Sequence, residues 1–169
     1  YERMIAIVSQ AEERLRRVLV HVQRQIGMLE MQEEIKSQVQ EELGDRQREM
    51  YLPLLRKYHD RLTWPKGRDL SAEQLWEQIG PYVGKLILDD NSAFGDVAIF
   101  NQCAWAVTAV ELVKANKDTS EVRKGLTQAT QQDADGGELF RKMADEIELG
   151  NVESTQQFVK ANTCDDAFR

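Results

Sequence analysis

The chain reads as an all-α protein: a C-terminal bundle of about four helices, with a long N-terminal helix that packs on it or projects from it. Three observations predict this. Residues 2–52 lack proline and are dense in Glu, Gln, Arg and Leu, which lose little on entering a helix. Apolar residues recur at steps of three and four through most of the chain, and no stretch alternates apolar with polar as a half-buried strand does. Gly, Pro, Asn and Asp gather at a few places and leave segments of helical length between them.

The first element is the longest. Ala11, Leu15, Val18, Val22, Ile26 and Leu29 stand three or four apart, so they form one apolar stripe. Beyond it Ile35, Val39 and Leu43 continue in fours, and the charged Arg46 follows, so a strict heptad does not persist. Gly27 and Gly44 each cost about 1 kcal/mol against Ala inside a helix, enough to bend it but not to break it. Pro53 lacks the N–H that would serve the carbonyl four residues back, and predicts a kink or an end near 49–52. The domain division expected from this is a long amphipathic helix over 1–52 and a bundle over 54–169.

After Pro53, Leu54, Leu55, Tyr58 and Leu62 give a further amphipathic turn or two. Residues 63–69, with Trp64, Pro65 and Gly67, form a loop and a candidate boundary. Ser71 and Gln74 make a capping box, starting a helix that turns Leu75, Ile79, Val83, Leu86 and Ile87 inward. Gly80–Pro81 interrupts it. A turn at 89–92 leads to a core helix over about 95–115, whose most apolar run, 97–113, is too short and too polar to span a bilayer because of Asn101, Gln102 and Glu111. Asp118 caps a polar helix to about 132, residues 131–137 form a loop, and two more helices follow. Trp76, Trp105, Phe94, Phe100, Phe140 and Phe168 are core aromatics. Cys103 is expected as a buried free thiol, since pairing with Cys164 requires the fold to bring them together.

Composition narrows the function. With 169 residues, 41% of them hydrophobic, the chain can bury a core. A net charge of −7 disfavours nucleic acid or an anionic membrane as partner. Arg14, Arg16 and Arg17 adjoin Glu12 and Glu13 and read as a solvated face. No targeting segment is visible, and the chain begins at Tyr1 as a processed or excised piece would.

Chemistry-bearing patterns are weak. The two histidines, His21 and His59, lack the spacings of di-iron or zinc sites. His59–Asp60 has no nucleophile or oxyanion donor beside it in sequence. Carboxylate doublets such as Glu33–Glu34 point about 100° apart on a helix and do not chelate. A calcium loop opening at Asp133 and Asp135 would need its closing Glu where Ala144 stands. The expectation is therefore no catalytic residue, no metal and no cofactor. A protein partner or a second copy would bind through Leu15, Val18, Val22, Ile26 and Leu29, with Trp64 as a further contact presented by its loop.

Two resemblances accompany this reading. Residues 10–52, above all Gln38-Val-Gln-Glu-Glu-Leu-Gly-Asp-Arg-Gln-Arg-Glu-Met-Tyr-Leu52, resemble the helical arm that precedes the ATPase module of Lon proteases. In that family the arm helps engage unfolded substrates and arranges subunits. The sequence has neither a Walker A loop nor a Ser/Lys proteolytic pair in matching context, so the resemblance implies a contact role alone. The ending, Ala161-Asn-Thr-Cys-Asp-Asp-Ala-Phe-Arg169, resembles that of the cytochrome c′ family, in which Cys-x-x-Cys-His holds haem. Aligned on Phe168 and Arg169, it keeps Cys164 as the second thiol but has Ala161 for the first and Asp165 for the iron-binding His, so the covalent site is broken. This resemblance implies, as the alternative function, a bundle that takes haem or another apolar ligand non-covalently. Two unrelated resemblances meeting at Pro53 are consistent with a chimeric or recombinant origin.

Overall fold

The structure is a computed structural model that describes residues 1–80, 88–128 and 137–168. It is all-α, with six α-helices among the described residues: α1 (Glu2–His59), α2 (Ala72–Ile79), α3 (Asp90–Lys114), α4 (Ser120–Gln128), α5 (Gly137–Glu148) and α6 (Glu153–Ala161), followed by a closing 3-10 turn (Cys164–Phe168). The sequence positions Pro81, Val83, Leu86, Ile87, Asp133, Asp135, Gly136 and Arg169 lie outside the described residues. By compactness the chain divides into two units, Tyr1–Asp45 and Arg46–Arg169.

The first unit is a single helical run. Its residues 1–43 are all exposed, including every member of the apolar stripe. The second unit holds the packed core. Of the kink or end expected near Pro53, the end does not occur: α1 continues to His59. Pro53 is exposed, so water can serve the carbonyl left without its helical donor. On either side of it, Tyr51, Leu55 and Tyr58 repeat at four and three and bury one face of the helix.

That face packs in a cluster with Leu70, Leu75, Trp76, Ile79, Ala93 and Val97. Ser71 caps α2 as the sequence implied: its hydroxyl accepts from the Gln74 N–H, and the Gln74 side chain accepts from the Ser71 N–H. Asp89 does the same for α3 by accepting from the Ser92 N–H at 2.7 Å.

α3 is the central element, beginning earlier than expected. Its N-terminal part supplies Ala93 and Val97 to the first cluster, while Cys103, Trp105, Ala106 and Ala109 join a second with Val122, Leu126, Phe140, Met143, Ile147 and Phe158. By length and composition alone this helix could cross a bilayer, contrary to the sequence expectation. In this fold it packs against α4, α6 and the closing turn, with Asn101 and Gln102 buried on it. Of the expected core aromatics, Trp76, Trp105 and Phe140 are buried, and Phe94, Phe100 and Phe168 pack partly buried against the clusters.

Cys103 is not a free thiol. It is bonded to Cys164, across a sequence separation of 61 residues, with Cα atoms 5.1 Å apart. The turn between α5 and α6 brings the chain end back over α3: Gly150 takes φ +77°, a left-handed value that glycine adopts without Cβ strain, and Asn151 accepts from the Glu153 N–H.

Candidate interaction surface

In the first unit Leu15, Val18, Val22, Ile26 and Leu29 lie along one stripe of α1, and the structure leaves them between 44% and 69% exposed. Ile5 and Val8 extend the stripe towards the helix start, Leu19 widens it, and Ile35, Val39 and Leu43 extend it towards Asp45. Outside residues 1–50, the exposed large apolar side chains among the described residues are Leu139 and Leu149. Exposed apolar surface is thus concentrated on one helix, at a width closer to a bundle-facing stripe than to a two-position seam. His21 and the Arg14–Arg17 patch lie on the same run, where Arg17 donates to Glu13 at 2.6 Å within the helix.

Trp64 belongs to the second unit. Its ring stacks on His59 with centroids 5.1 Å apart, its indole N–H donates to the His59 carbonyl at 3.3 Å, and it packs half-buried against the first cluster. The loop that carries it is stitched down at Thr63. The Thr63 carbonyl accepts from Asn101 Nδ2 at 2.8 Å, Trp105 Nε1 at 3.0 Å and Gln128 Nε2 at 2.7 Å. Gln128 Oε1 in turn accepts from the Thr63 N–H and hydroxyl. The loop expected as a boundary is therefore tied to α3 and α4 within the second unit.

His59 bridges two carboxylates, Asp60 at 3.0 Å through Nδ1 and Asp69 at 2.5 Å through Nε2. Burial disfavours its charged form, yet the hydrogen bonds to Asp60 and Asp69 and their negative charges outweigh it and hold the imidazole above its ordinary pKa. With both nitrogens engaged, neither is placed to take a proton from a substrate.

Two tyrosine–carboxylate pairs were not legible in the sequence. Tyr51 donates to Asp96, and Tyr58 donates to Asp90, which also accepts from Lys57 at 3.0 Å. Burial, then Asp96, pushes the Tyr51 phenol far up; burial also raises Asp96, against the hydrogen bond from Tyr51. Tyr58 and Lys57 hold Asp90 below the usual carboxylate range. These pairs lock α1 to α3. Among the described residues no group of three His, Cys, Asp or Glu side chains is placed to hold a metal.

At the chain end, Cys164 is buried in its disulfide while Ala161 and Asp165 are exposed and Phe168 is partly buried. The sulfur that a cytochrome c′-like reading assigns to porphyrin is already bonded to Cys103, and nothing in the fold supports that resemblance. Lon protease 1 of Sorangium cellulosum (strain So ce56) is 53% identical to this chain over 49 residues, which are 29% of this chain. A segment of the chain is thus similar to a Lon protease. The chain spans only 6% of that protease's length. No protein-family description and no solved structure matches the chain.

Proposed function

We propose that this protein is a non-enzymatic helical interaction module that associates through the apolar stripe of α1, the second unit serving as its folded anchor. One observation carries the reading: Leu15, Val18, Val22, Ile26 and Leu29 form a continuous exposed stripe, while the other described part of the chain covers nearly all its large apolar side chains. A helix gains most of its stability in a protein by burying such a face, so the stripe requires an occupant. The match to Lon protease 1 supports a helical, non-catalytic role, since it extends over 49 residues and the chain lacks a Walker A loop.

Sedimentation equilibrium on the full chain tests this. The wild type self-associates, and Val18→Glu/Val22→Glu, placed at the middle of the stripe, becomes monomeric with unchanged helix content by circular dichroism. A monomeric wild type, or a variant that associates as the wild type does, overturns the reading.

A further inference from the structure

Charge over residues 14–45 of the first unit is polarised along the helix. Residues 14–29, the basic half of the stripe-bearing run 14–45, carry Arg14, Arg16, Arg17 and Arg24 and no carboxylate, a net of four positive charges, whereas Arg3 in residues 1–13 is outnumbered by Glu2, Glu12 and Glu13. Residues 30–45 carry Glu30, Glu33, Glu34, Glu41, Glu42 and Asp45 against Lys36, a net of five negative charges. The stripe runs through both halves, with Leu15 and Val22 in the basic half and Val39 and Leu43 in the acidic half, all exposed.

Resting on the stripe reading above, we infer that the occupant is the same helix of a second copy laid antiparallel, so that the basic half of each faces the acidic half of the other. Packed helices lie about 8–10 Å apart. That is close to the screening length at physiological salt, roughly 8 Å, so the two halves feel each other's charge. A parallel pair sets two acidic halves, each with five negative charges in excess, side by side and gains nothing at the basic end. Reversing one copy replaces both repulsions with attractions. The resulting contact is isologous: one patch meets itself through a two-fold axis, which closes the assembly at two copies. A hetero-partner would need its own matched polarity; this chain already carries it.

The test uses the full chain with a spin label at Ser9→Cys, an exposed position ahead of the basic half; the native cysteines are already joined to each other. With residues 14–29 of each antiparallel helix against 30–45 of the other, the labels stand about 60 Å apart at 1.5 Å per residue. A parallel pair brings them below about 20 Å. A second arm reverses the acidic half alone, Glu33→Lys/Glu41→Lys/Glu42→Lys. Antiparallel pairing then sets positive against positive, and the dimer dissociation constant rises roughly tenfold at low salt. Parallel pairing loses its main repulsion and tightens. A short label distance or a tighter dimer overturns the antiparallel arrangement and leaves the stripe reading standing. A monomeric wild type, or association that survives Val18→Glu/Val22→Glu, overturns the stripe reading and this inference with it.

Discussion

A Cβ added at Gly125 would stand 2.2 Å from the indole of Trp105, so α4 crosses α3 at a point shaped for a hydrogen atom and nothing larger. Trp105 cannot yield easily, because it is 2% exposed and its Nε1–H is donated to the Thr63 carbonyl.

Gly125→Ala sets two effects against each other. Helix propensity favours Ala by about 1 kcal/mol, whereas forcing a methyl into a filled core costs about 1–3 kcal/mol, with the upper part of that range expected against a rigid ring. The variant is therefore destabilised by about 1–2 kcal/mol net, read as a lower urea midpoint at unchanged slope. An equal or higher midpoint would show that the α3–α4 crossing relaxes freely.

Asn101 is fully buried, donates to the Thr63 carbonyl and accepts from Gln128 Nε2 at 3.1 Å. Replacing it by Ala removes both bonds and leaves the half-buried amide of Gln128 with one partner fewer, at a cost of about 2 kcal/mol. The loop carrying Trp64 should also loosen. Its amide protons then exchange faster with solvent than those of α5, whereas a uniform change across the second unit would argue against a local tether.

How much of this could be read beforehand follows from sequence distance. The capping box at Ser71 and Gln74 was legible because its whole geometry lies within four residues. The stripe on α1 was legible because helical period alone defines it. Tyr51–Asp96 and Tyr58–Asp90 were not, since partners 45 and 32 residues apart leave no local pattern. The continuation of α1 through Pro53 depended on that residue facing water, which propensity does not report. The stripe was thus legible from periodicity, while the contacts that hold the second unit together were not.

The Cys103–Cys164 bond closes a loop of 61 residues' separation around α4, α5 and α6. Chain-entropy arguments give a loop of that size about 4 kcal/mol, with 2–4 kcal/mol typical of measured bridges. Cys103→Ala/Cys164→Ala should lose stability within that range, and reduction of the wild type should produce a comparable fall in Tm. Because the bridge lies in the second unit, self-association of folded protein should be unchanged. Coincident loss of dimer and bridge would tie the two units together in a way the present reading does not.

His59 makes stability depend on pH in a definite direction. Burial opposes its protonation, but Asp60 and Asp69 raise its pKa above the ordinary value near 6.5. A base whose folded pKa exceeds its unfolded one adds stability that is complete below the unfolded pKa and is lost as pH rises through the folded one. Urea midpoints should therefore decline from about pH 6.5 upward until the folded imidazole has lost its proton, and the decline should be absent in His59→Gln. Asp69→Asn removes the 2.5 Å partner and should draw the imidazole titration, followed by its Cε1–H resonance, back towards 6.5. A wild-type titration at or below 6.5 would mean that burial wins over the two carboxylates, and the slope against pH would then reverse.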